Sequence, residues 1–165
     1  MKPFRRDRDG SVHAVFSREE ADVIVVLAAE SAELIQSSTP DGTAEDPAVR
    51  RLLPDAYPDD PAASAEFRRF TADALAERKV LNAQIVIESL AHGSAGRVEV
   101  RLDEAGAAAW LRTITDVRLV LATRLGIVQD GDEGDLRTSE SAYRRAVYDW
   151  LAYVQETLVL ALGRR

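Results

Sequence analysis

Apolar and polar residues change their period several times along this chain, and each change marks an element. Residues 3–6 and 12–16 read as short strands joined through Asp9-Gly10, a pair that suits a tight hairpin turn. From Ser17 the period lengthens to that of a helix. Ser17-Arg18-Glu19-Glu20 has the form of a capping box, in which the serine hydroxyl accepts from a first-turn N–H and Glu20 reaches back to the cap. A helix is predicted over 17–37, with Ile24, Leu27, Ala28, Ser31, Leu34 and Ile35 as its buried stripe. After a polar loop, Asp46 is placed to cap a short helix over 47–53. Pro47 opens that helix at the position where a missing N–H costs nothing.

Pro54 ends the short helix, and Pro58 and Pro61 hold the chain extended until a long helix over 62–90. Phe67, Phe70, Ala74, Leu81 and Ile85 share one face of it and form the predicted core stripe. Arg78 and Glu88 fall inside the same arc. Gly93 and Gly96 break the helix. Arg97 to Leu102 then alternates strictly, with Val98, Val100 and Leu102 on one side. This predicts a half-buried strand, placed most simply against the N-terminal hairpin. Asp103 caps a helix over 104–125 that stops at Gly126. Its core face is Trp110, Ile114, Val117, Leu121 and Leu125, with Arg118 inside that arc. The last helix, 139–162, presents Tyr143, Val147, Trp150, Leu151, Val154 and Leu158. Tyr148 and Val159 lie roughly opposite and hint at a homodimer. The expected architecture is mainly α (α+β): one domain over 1–165, a bundle of five helices with a small antiparallel sheet of about three strands.

Composition narrows the chemistry. With 46% apolar residues in 165, the chain can bury a substantial core, and 30% charged residues suits a wetted surface. No apolar run reaches the roughly 20 residues needed to span a bilayer. The basic start MKPFRRDRDG lacks the apolar stretch of a signal peptide. A cytoplasmic location is the expectation. There is no cysteine, so disulfides, thiolate nucleophiles and cysteine-ligated zinc are excluded by inventory. His13 and His92 are the only imidazoles, and neither has a partner at metal or triad spacing, so both read as structural.

The loop DGDEGD at 130–135 invites a calcium reading and fails it. Counted from Asp130, the fifth, sixth and twelfth positions are Gly134, Asp135 and Ser141, where an EF-hand needs an oxygen ligand, glycine and glutamate. Gly93-Ser94-Ala95-Gly96 precedes a strand, the wrong order for a phosphate loop. The expectation is a non-enzymatic protein with no cofactor and no metal. A carboxylate-based hydrolase is the weakest rival, since its acids need only converge in space.

Net charge is −7, and the acid is concentrated. Asp41 to Asp60 holds six acidic residues against two arginines, and Asp130 to Glu140 holds five against one. This disfavours autonomous DNA binding, which would need Arg112, Arg124, Arg144 and Arg145 to converge on one face. A protein partner suits the charge better. Two groups of residues stand out. Tyr57, Asp59, Asp60 and Arg68, in and after the proline-rich connector, form a candidate partner surface. Arg78, Glu88 and Arg118 form a candidate buried ion-pair network, Glu88 pairing with Arg118 or Arg78 between the third and fourth helices, because charge inside an apolar arc must pair or snorkel.

The blocks RLLPDAYPDDPAASAEFRRF, AWLRTITDVRLVLATRLGI and VYDWLAYVQETLVLAL resemble those of a small actinobacterial family long catalogued as a domain of unknown function, which includes the oxidation-sensing transcriptional regulator AosR. The resemblance covers essentially the whole chain. It implies a regulatory protein of the oxidative-stress response, acting with an alternative sigma factor, within the RNA polymerase complex, on cysteine-biosynthesis genes. That regulator's sensor is described as a cysteine pair. This chain has no thiol, and Met1 is its only methionine, so no residue here can inherit the sensing role.

Overall fold

Alternation and turn chemistry build the sheet. β1 (Lys2–Arg6) and β2 (Val12–Ser17) pair antiparallel across a turn in which Gly10 takes φ 90°, a conformation glycine adopts without strain. Asp9 holds the turn. Its carboxylate accepts from the Ser11 hydroxyl and N–H and from Arg101, and these contacts, Ser11 foremost, bring its pKa down to about 2. β3 (Arg97–Leu102) adds to the other edge of β2, also antiparallel, in the order β1-β2-β3. Val12 faces Leu102, Ala14 faces Val100 and Phe16 faces Val98. The period of two puts all six on one buried face.

A computed structural model describes residues 1–37, 46–54, 61–91, 96–129 and 131–163, and for 61–72 the backbone alone. Among the described residues the helices are α1 (Arg18–Gln36), α2 (Pro47–Leu52), α3 (Pro61–Ala91), α4 (Glu104–Leu125) and α5 (Ser139–Gly163). Five helices with a three-stranded antiparallel sheet make this the expected α+β class. The Ser17 capping box is complete, with Glu20 N–H donating to Ser17 Oγ at 3.2 Å and Ser17 N–H to Glu20 at 2.7 Å. Asp103 accepts from Gly106 N–H at 2.7 Å to start α4. Asp46 caps α2 and also takes two bonds from Arg124 of α4, which hold its carboxyl below the ordinary range and tie α2 to α4.

The core forms where the inner sheet face meets α4. Trp110 is fully buried, stacked on Phe16 at 5.7 Å between ring centroids and edge-on to Phe4 at 5.5 Å. Its Nε1 donates to Ser89 Oγ of α3 at 3.0 Å, so the one polar atom of the indole is satisfied. Ile114, Val117 and Leu121 of α4 and Val147, Leu151, Val154 and Leu158 of α5 continue this core, as their spacing predicts.

α3 departs from its expected orientation. Its buried face is Val80, Ala83, Val86 and Leu90, whereas Leu81 and Ile85 are 58% and 41% exposed and Ala74 is exposed. Phe67 and Phe70 lie outside the described side chains. The helix carries apolar residues on two opposite faces. The face that also holds Arg78 and Glu88 is the one left in water, since burying it would desolvate both charges. Of the two residues roughly opposite the main α5 face, Tyr148 is half-buried against the core, while Val159 is 51% exposed.

The acidic connector between α4 and α5 is bound up in its own backbone. Asp132 accepts from Val128 and Gln129 N–H, Asp135 pairs with Arg137, and Arg145 of α5 donates to the Glu133 carbonyl. Gly134 sits at φ 75°, and a Cβ there would lie 2.9 Å from the Leu125 carbonyl oxygen. Gly134→Ala is therefore expected to cost about 2 kcal/mol of stability, from backbone strain and that contact together. A urea-denaturation midpoint equal to that of the native chain would contradict this.

Candidate partner-binding groove

α1 carries more apolar residues than one face can hold. Ile24, Ala28, Ser31 and Ile35 are buried, as the predicted stripe requires, but Leu27 and Leu34 are only half-buried. With Val23 and Val26 they form a second apolar face on α1, and a helix with two apolar faces needs two neighbours. On one side the neighbour is the core. On the other there is an open groove of about 820 Å³, lined by α1, α4 and the start of α5. Val117, Val120 and Leu121 of α4 and Tyr143 and Val147 of α5 complete its floor. Val26 is 52% and Tyr143 59% exposed, so the floor reaches the surface.

The rim of the groove is charged, and mainly acidic. Asp22, Glu30, Glu33 and Glu140 stand against Arg124 and Arg144. Both arginines are already engaged, Arg124 with Asp46 and Arg144 with Glu140. Asp22 lies 3.5 Å from Arg18. Among the described residues Glu30 and Glu33 have no cationic partner, and both are exposed. Away from the charged rim, the polar groups of the lining are the hydroxyls of Ser31, Ser37 and Tyr143, spread over α1, its C-terminus and α5. A small-molecule pocket fixes its ligand with several converging polar groups, and this floor lacks them. An apolar trough with an acidic edge instead matches the apolar face of an amphipathic helix flanked by lysine or arginine.

Of the residues singled out from sequence, Arg124 and Arg144 stand on the groove rim, and Arg78, Glu88 and Arg118 do not line it. Tyr57, Asp59 and Asp60 lie outside the described residues, as does the side chain of Arg68. His92 also lies outside them, and His13 Nδ1, on the central strand β2, is 2.8 Å from Asp7. Arg78, Glu88 and Arg118 are not brought together. Arg78 and Glu88 are exposed on α3, while Arg118 of α4 turns to α5. There its guanidinium lies over the Tyr148 ring at 4.7 Å and donates to Gln155 at 2.8 Å, and Gln155 donates to Thr115 at 2.9 Å. The charged end of Arg118 thus rests on a ring face and an amide oxygen in place of a carboxylate.

The ion pair between α3 and α4 is a different one. Lys79 Nζ lies 2.6 Å from Asp116 Oδ1, with side-chain exposures of 18% and 8%. Burial raises the Asp116 pKa, and the Lys79 ammonium opposes that rise. The arginines that would have to converge on DNA are mostly occupied. Arg124 and Arg144 are paired as above, Arg145 grips Asp149 and the connector, and Arg112 is exposed on α4. Among the described residues no three His, Cys, Asp or Glu side chains converge to hold a metal ion, and no helix is long and apolar enough to cross a membrane.

Residues 1–162 match the family described as a domain of unknown function, DUF2017. The chain belongs to the DUF2017 family. Curated relatives are named for regulation. A candidate oxidative stress regulator, AosR, of Mycobacterium leprae is 38% identical over 131 residues, covering 72% of this chain and 59% of the relative. The oxidative stress regulator AosR of Mycobacterium tuberculosis is 35% identical over 130 residues, covering 71% of this chain and 58% of the relative. This DUF2017 chain thus spans less than two thirds of the length of those relatives. No solved structure matches it.

Proposed function

We propose that this DUF2017 chain is a non-enzymatic, cytoplasmic regulator of the oxidative-stress response that seats a basic amphipathic helix of a protein partner in the groove between α1, α4 and α5. The observation that carries the reading is the open apolar floor beside the carboxylates of Glu30 and Glu33, which have no cationic partner among the described residues. The relatives' names supply the process. By resemblance, the partner belongs to the transcription machinery, an alternative sigma factor acting on cysteine-biosynthesis genes. The acidic turn Tyr57, Asp59 and Asp60, with Arg68, is proposed as a second contact on sequence grounds. With no cysteine in the chain, the oxidant signal reaches it through the partner rather than through a disulfide of its own.

A complementation experiment tests this. Val26→Glu places a charge on the groove floor at a position that is already half exposed, so folding should persist. In a strain lacking the gene, the native chain is expected to restore the oxidant-induced transcript response. Val26→Glu at equal abundance should leave it lost, because charge on an apolar anchor weakens binding by about tenfold or more. Full complementation by Val26→Glu would remove the groove from the function.

A further inference from the structure

α3 has a second, unexplained face. Ala74, Arg78, Leu81, Ile85 and Glu88 recur with spacings of four and three, the repeat of a helix that packs lengthwise against another helix. All five are exposed, and none lines the groove. Isolated exposed apolar residues need no explanation, but a stripe at this repeat holding two opposite charges has a definite complement. We propose that α3 is a self-association helix, and that two copies of this chain pack their α3 stripes antiparallel about a two-fold axis at the level of Ala83.

Charge order selects both the occupant and its direction. With the axis at Ala83, Leu81 of one copy lies opposite Ile85 of the second copy, and Arg78 lies opposite the second copy's Glu88. Each contact is made twice, as a two-fold interface requires. A parallel pair would set Arg78 against Arg78 and Glu88 against Glu88, which like-charge repulsion disfavours. The overlap runs over residues 75–91, about 25 Å of helix. It therefore uses the part of α3 whose side chains are described. One helix face of this length buries less than the ~800 Å² per partner of a standard interface, so the dimer is expected in the micromolar range. Two partner grooves would then be presented on one two-fold assembly.

Sedimentation equilibrium on the full chain is the test, with circular dichroism to confirm that each variant is folded. The native chain is expected to dimerise reversibly. Arg78→Glu alone and Glu88→Arg alone should each weaken the dimer by about tenfold or more, because each sets like charges across the axis. The double exchange Arg78→Glu with Glu88→Arg should restore it to near the native value. Leu81→Asp should leave a monomer, and Val159→Asp, on the exposed face of α5, should not. A native chain still monomeric at about 200 μM, well above a micromolar dissociation constant, would overturn the proposal. So would a folded double exchange as weak as the single variants, or a dimer lost with Val159→Asp and indifferent to Leu81→Asp.

Discussion

Trp110→Ala is expected to lower the unfolding free energy by about 4 kcal/mol, the range found when a large aromatic is deleted from a core that cannot collapse. Trp110 is the largest of the fully buried side chains. Its ring fills the junction of sheet and helices, touching Phe4 of β1 and Phe16 of β2 and hydrogen-bonding to Ser89 of α3. For a chain of this size, total stability is of order 5–15 kcal/mol, so the variant would sit close to its unfolding transition. Trp110→Phe separates the contributions. It keeps an aromatic ring against Phe16 and loses the indole N–H, leaving Ser89 without that donor, at an expected cost of about 1–2 kcal/mol. Urea denaturation of the three proteins measures both steps. Equal losses for the two variants would mean that the hydrogen bond, not the ring, holds the junction.

The second large effect is at the Lys79–Asp116 pair. Lys79→Met should cost about 3 kcal/mol near pH 7, because it strands a carboxylate that is 8% exposed. The double variant Lys79→Met with Asp116→Leu should recover to within about 1 kcal/mol of the native chain, since removing both charges removes the desolvation. The pH dependence has a fixed sign. The Asp116 pKa is raised in the folded state, chiefly by burial. A raised carboxyl pKa means that the folded state holds its proton more tightly than the unfolded chain does. That contribution is full below the unfolded pKa, near 4, and is lost as pH rises through the folded pKa. Lys79 limits the loss in the native chain. Without it the folded pKa rises further, so the deficit of Lys79→Met should be small near pH 4.5 and largest at neutral pH. A deficit of equal size at both pH values would rule out an ionised Asp116 as its cause.

Much of the fold could be read from the residues, for reasons that are local. Strict alternation at Val98, Val100 and Leu102, the Asp9-Gly10 turn, the Ser17 box and the Asp103 cap each act over a few residues, and each is present in the structure. The α4 stripe from Trp110 to Leu125 is buried as its spacing predicts. Orientation was harder where a helix offers two apolar faces. On α3 the larger-looking stripe, with Leu81 and Ile85, is the exposed one, and Arg78 and Glu88 within it were the signal that it stays in water. On α1 the run Val23 to Leu27 already held more apolar residues than one stripe uses, which is the sequence trace of the groove.

In the sequence Lys79 and Asp116 each look like an ordinary surface charge. Their pairing depends on α4 burying Asp116 beside α3, and only the packing of those two helices reveals it. Arg118 shows the reverse case. Its place inside an apolar arc suggested a carboxylate partner, and the structure gives it a ring and an amide instead.

Site-specific photocrosslinking in living cells under oxidant stress puts the groove to the most direct test. A photoreactive residue would replace Val26 or Tyr143 on the groove, and Val128, 78% exposed on the connector, as a control. The expected result is one shared crosslinked polypeptide of the transcription machinery from Val26 and Tyr143, absent from Val128, and lost when Glu30 and Glu33 are both changed to lysine. No such adduct from either groove position, or the same adduct from all three positions, would contradict a groove that binds a regulatory partner.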